Sequence, residues 1–207
     1  GRAARAVVGT ICMASQRAQM TRVDWRTTFR QSLSRISWLA AAVLMFALSL
    51  FLLLALVTYD ATDAALHTAA GGAQANWMGG AGAWAADFLL FVGGIGMVLL
   101  IPLTGLLAAR MWRGDALGAW RRQLAMVLTA ALLIGLGAEL WSSAGTNSTL
   151  PAGWGGIVAL LLGREIAPLF DLVADPGAAL LRFAVILLLI GLGLWLAWRA
   201  LGLAALV

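Results

Sequence analysis

From Trp38 to Val57 the chain reads WLAAAVLMFALSLFLLLALV, twenty residues without a charge, a glycine or a proline. At about 1.5 Å per residue, a helix of this run is roughly 30 Å long, the thickness of the hydrocarbon layer of a bilayer. The preceding residues 1–37 are polar and basic, with Arg2, Arg5, Arg17, Arg22, Arg26, Arg30 and Arg35 against a single acid, Asp24. A cleaved signal peptide has a shorter charged region and an apolar core of roughly 7–15 residues. The run therefore reads as an uncleaved first span, with Met13 and Met20 as alternative starts upstream of it.

Three further apolar runs follow, at about 84–109, 124–140 and 178–198. The expected fold class is an all-α membrane protein: four transmembrane helices plus a short periplasmic interfacial helix. Its parts are a basic cytoplasmic segment 1–37, a membrane domain 38–198 with outer loops 58–83 and 141–177, and the start of a cytoplasmic linker at 199–207. The short helix is expected within Gly153–Phe170, GWGGIVALLLGREIAPLF, whose apolar run is too short to span. Pro168 would end or kink it. Pro102 is expected to kink the second span.

Composition supports lipid as the solvent. The chain is 62% hydrophobic and 11% charged, where soluble domains sit near roughly 45–50% and 25%. All fourteen basic residues are arginine. Without a lysine there is no Walker A loop, so this stretch is not by itself a P-loop ATPase. One cysteine, Cys12, and one histidine, His67, exclude an internal disulfide and an ordinary zinc site. No nucleophile–base pair is apparent, and His67 reads as a solvated loop residue. No catalytic residue, metal or cofactor is expected in this chain.

Arginines orient the spans. Arg110, Arg113, Arg121 and Arg122 fill the loop between spans two and three, and none lies between spans one and two. Positively charged loops stay in the cytoplasm, so both termini are expected inside and loops 58–83 and 141–177 outside. Arg164 and Arg182 are exceptions, offset by Glu165, Asp171 and Asp175. Trp38, Tyr59, Trp84, Trp112, Trp120, Trp141, Trp195 and Trp198 fall near span ends, as aromatic belts do.

Small residues recur at helical spacing: Gly82, Ala86 and Gly94 on span two, Ala131 and Gly135 on span three. Such stripes let helices approach closely, within a protomer or between protomers. Asp87, Glu139 and Arg182 lie near the outer ends of their spans and read as snorkelling groups or a mutual ion pair; a proton relay is the sharper alternative. The N-terminal arginines suit anionic lipid, a protein partner or, with no recognisable fold for it, DNA.

Some of these stretches resemble the membrane domain of FtsK/SpoIIIE-type DNA translocases. Tyr59-Asp60 followed by Asp63 resembles the segment after that family's first helix. Asn76 and the run Gly79–Asp87, with Gly82, Trp84 and Asp87, resemble the entry into its second. Phe91–Gly96 and Pro102 follow at similar spacing, and Leu150–Phe170, with Gly155 and Gly156, resembles its outer glycine pair, apolar helix and proline. The resemblance covers roughly residues 36–200 and leaves the basic extension unexplained. It implies an anchoring and oligomerisation domain at the division septum of the bacterial inner membrane, whose partners are the bilayer, other copies (a hexamer, as in the family) and division proteins. DNA, ATP and magnesium would be handled by a motor outside this stretch. Two rivals come from other classes: a small four-helix transporter, for which midplane polar residues are few beyond Ser49 and Thr129, and a membrane scaffold without a motor.

Overall fold

The computed structural model describes residues 25–68, 73–115, 117–142, 149–170, 172 and 177–202. Arg2, Arg5, Cys12, Arg17, Arg22, Asp24, Asp171, Asp175 and the linker residues 203–207 lie outside the described residues. What is described is helix and loop; the one ladder-type pairing there is an isolated bridge between Pro151 and Gly153. Among the described residues, four helices are long and apolar enough to cross a membrane: Ser32–Val57, Gly79–Arg113, Trp120–Ser142 and Gly177–Ala200.

The chain divides into two compact units, Gly1–Ala40 and Ala41–Val207. In the first, helix α1 (Trp25–Val57) begins, with Trp25, Phe29, Leu33, Ile36 and Trp38 exposed. Ser37 donates its hydroxyl to the Ser34 carbonyl at 2.8 Å. The helix starts well before the apolar run because neither glycine nor proline interrupts Trp25–Val57.

In the second unit α1 ends at Thr58, whose amide and hydroxyl both return to the Leu54 carbonyl. The second span has three parts: α2 (Gly79–Gly93), a 3-10 segment (Gly94–Leu99) and α3 (Leu100–Arg113). The interruption falls at Gly94, with φ 60° and ψ −153°, a region open essentially only to glycine. Pro102, where a kink is expected, lies just beyond this interruption. Pro102 is the third residue of α3, so the carbonyl four residues back, with which a proline ring conflicts, is that of Val98 in the 3-10 segment. Gly114, left-handed at φ 79°, closes α3 by donating to the Arg110 and Met111 carbonyls.

Helix α4 (Trp120–Ser142) is central. Leu136 and Leu140 join Ala159 and Phe170 of α5 (Gly156–Phe170) and Ile186 of α6 (Gly177–Ala200) in one core cluster. Val127 joins Leu103 and Leu107 of α3 and Ala200 of α6 in the other. Helices α4 and α6 interlock reciprocally. A Cβ on Gly137 would lie 2.7 Å from Ile190 Cγ1, and one on Gly193 would lie 2.7 Å from Ile134 Cγ1. Each glycine admits the isoleucine opposite, so dispersion contacts replace the hydrophobic drive that lipid does not supply. The outer faces of α1 and α6 remain apolar and exposed, including Leu44, Phe46, Leu180 and Leu188. Water would not tolerate so large a patch, whereas acyl chains do. Pro168 lies within α5, and the helix continues to Phe170.

Candidate functional site

The end of the bundle where α1 stops, α2 starts, α4 stops and α6 starts carries most of the described hydrogen-bonded polar side chains. Its first part is the loop 58–78. Asp63, 4% exposed, accepts the amides of Ala75 at 2.7 Å and Asn76 at 2.9 Å. Asn76, also 4% exposed, donates Nδ2 to the Ala55 carbonyl at 2.9 Å and the Thr58 carbonyl at 3.3 Å, and accepts the Met78 amide at 3.0 Å. Carbonyls at a helix C-terminus have no helical donor of their own. One side chain thus caps α1 and shapes the entry to α2. Thr58 adds a bond from the Trp77 amide to its hydroxyl at 3.1 Å. Gly82 must be small here, since a Cβ would collide with Asn76 Oδ1 and Met78 Cβ.

The second part is Asp87, one turn further along α2 and 1% exposed. It accepts the His67 amide at 3.2 Å and lies 2.7 Å from His67 Nδ1. The His67 ring stacks on Phe91, with centroids 4.0 Å apart. A buried carboxylate without a partner is costly, and the fold supplies one from the loop. His67 is thus docked on Asp87 and Phe91 while its side chain stays 32% exposed, so the solvated loop residue expected from the sequence also has a partner in the span. Burial pushes the Tyr59 phenol up to about 12, helped by Asp87 and then by Asp60 and Asp63. Asp60, on the surface, is held below the usual carboxylate range by the hydroxyl and amide of Thr62.

The third part is a junction of glycine backbones. A Cβ on Gly94 would fall 2.5 Å from the Gly155 carbonyl carbon and 2.7 Å from the Gly156 amide nitrogen. The Ile95 amide donates to the Trp154 carbonyl at 3.0 Å. A Cβ on Gly135 would lie 2.9 Å from the Gly155 carbonyl oxygen, and Gly96 abuts the Ala131 backbone. The turn 154–156 is thus wedged between the second and third spans. Gly135 lies seven residues inside the end of α4, a depth of roughly 10 Å along the helix. Glu139 accepts the Gly155 amide at 3.4 Å and occupies the space a Gly153 side chain would need.

The sequence-named residues therefore divide. Asp63, Asn76 and Gly82 meet in the loop; Tyr59, His67 and Asp87 meet beside it; Gly94, Gly135, Gly155 and Gly156 meet at the junction. Ala86 and Ala131 are buried, Ala131 against Gly96, and Trp84 is half-exposed. Asp87, Glu139 and Arg182 each take a different partner, Arg182 donating Nε to the Leu140 carbonyl at 3.0 Å. His67, Gly96, Gly137 and Gly193 are roles that sequence reasoning missed. The GGIG run 93–96 marks Gly96, but nothing in the spacing ties His67 to Asp87. Among the described residues no group of three or more His, Cys, Asp or Glu could hold a metal ion. The arrangement docks loops and presents aromatic side chains, with Trp77 75% and Trp141 58% exposed.

A family model described as the 4TM region of the DNA translocase FtsK/SpoIIIE matches residues 34–205, which takes in all four spans and both loops of this platform. No curated protein and no solved structure matches the chain.

Proposed function

The chain belongs to the FtsK/SpoIIIE family through that family's four-span membrane region, and on this premise we propose that it anchors and oligomerises a septal DNA translocase acting in cell division and chromosome segregation. The matched stretch is a membrane region and not a motor. Under the proposal the domain itself catalyses nothing, while DNA, ATP and magnesium belong to a motor elsewhere in the full-length protein. It sits in the bacterial inner membrane with both termini inside, and division proteins meet the end that carries Tyr59, Trp77, Trp84 and Trp154.

The observation that carries this reading is the match over 34–205. The docked loops lend it support. Buried anchors such as Asp63, Asn76 and Asp87 give a loop one shape, and a preordered surface binds a partner with less ordering entropy to lose. The exposed apolar faces of α1 and α6 supply area for copies to pack. A fluorescent fusion of residues 1–207, expressed in dividing cells, should give a septal band. Uniform envelope signal in constricting cells would remove the septal reading and favour a small transporter instead.

A further inference from the structure

Between α1 and α3 runs a groove of about 430 Å³ lined by Ala42, Val43, Phe46, Gly105, Ala109 and, at one end, Arg113. We propose that this groove binds one anionic phospholipid, with an acyl chain along Phe46, Gly105 and Ala109 and the phosphate on Arg113. The volume lies within the roughly 300–1,000 Å³ typical of small-molecule sites. Its floor is open because Gly105 and Ala109 carry almost no side chain where α1 and α3 separate; beyond them Ser49 donates its hydroxyl to the Ile101 carbonyl at 3.0 Å and draws the helices together. The result is a slot closed at the Ser49 end and open at the Arg113 end.

The polarity of the slot selects the ligand. From Gly105 to Arg113 is eight residues, roughly 12 Å of helix, apolar until its last turn. Arg110, one turn earlier, donates to Gln123 at 3.2 Å. Arg113 makes no hydrogen bond or ion pair among the described residues, and its guanidinium remains to pair a phosphate bidentately. Trp112, 64% exposed at the same end, suits the headgroup level. A transmembrane helix from another copy would fill the apolar length but would bring no anion to Arg113 at the headgroup level. A lipid with a negative headgroup satisfies both ends.

The test is native mass spectrometry of the purified full chain in detergent, with phosphatidylglycerol or phosphatidylcholine added. The wild-type protein should retain one phosphatidylglycerol, with about fivefold preference over phosphatidylcholine, whose choline cation offsets its phosphate; fivefold is the factor expected of one arginine at a net anionic headgroup. Arg113→Gln should abolish the preference while retaining some of either lipid, and Arg113→Lys should restore part of it. Ala109→Phe, which puts a ring into the groove from an exposed position, should lose both lipids. Phosphatidylglycerol retained in full by Ala109→Phe would overturn the site. So would an unchanged preference in Arg113→Gln. A drop in oligomer size in Ala109→Phe with lipid retention intact would assign the groove to a second copy.

Discussion

Replacing Gly94 with alanine tests the junction that holds the turn 154–156 to the spans. Two separate effects oppose the substitution. At φ 60° and ψ −153° an L residue is strained by about 1–3 kcal/mol. The added methyl would also lie within 3 Å of three backbone atoms, of Trp154, Gly155 and Gly156. Backbone cannot swing aside as a flexible side chain can, and overpacking of this kind typically adds about 1–3 kcal/mol. Together the loss is about 2–6 kcal/mol. For a chain of this size each kcal/mol moves the thermal midpoint by roughly 2–4 °C, so the variant should melt at least about 4 °C below wild type in the same detergent. Gly191→Ala is the matched control, since a Cβ there meets nothing within 4 Å and no positive φ is involved. It should be neutral or slightly stabilising. Equal midpoints for Gly94→Ala and wild type would refute the claim that turn 154–156 is wedged against the second span.

Two further outcomes follow from the loop. Asn76→Ala removes the donor to the Ala55 and Thr58 carbonyls and the acceptor of the Met78 amide; it should cost about 1–3 kcal/mol and expose loop 58–78 to limited proteolysis, which an unchanged digestion pattern would contradict. Tyr59 is the only tyrosine, so tyrosinate absorbance reads it alone. It should titrate near 12 in the folded protein and lower in Asp87→Asn. Because the folded phenol ionises above the ordinary value near 10, its contribution is intact below pH 10 and stability falls as pH rises from there towards 12. A wild-type titration near 10 would show that Tyr59 is not buried beside Asp87.

The four-span fold was legible because twenty uncharged apolar residues have one low-energy solution in lipid, a helix that satisfies its own backbone. The site was legible in composition more than in arrangement. Pro102 and Gly94 are both visible breakers, and the 3-10 segment of the second span lies between them. The positive φ at Gly94 goes with the backbone of turn 154–156 packed against it, which the sequence pattern does not show. Spacing shows which faces of a helix can be approached, yet it does not name what approaches. At Gly94 that is the turn 154–156, and at Gly135 it is the Gly155 backbone together with that of Gly93 on the second span. His67 was unreadable for a related reason. Its partner Asp87 is twenty residues away, and only the folding of the intervening loop through Asp63 and Asn76 brings the two together.

Under the proposed topology, four crossings leave loops 58–78 and 149–155 on one side of the membrane and the arginine-rich connection 110–122 on the other. Single cysteines at Thr149 and Asp115, each in a Cys12→Ser background, report this in intact spheroplasts treated with a membrane-impermeant thiol reagent. Both positions are exposed, so access is decided by the membrane and not by burial. The Thr149→Cys protein should be labelled from outside and the Asp115→Cys protein only after the membrane is opened. Labelling of Asp115→Cys from outside, or of both variants alike, would contradict that topology.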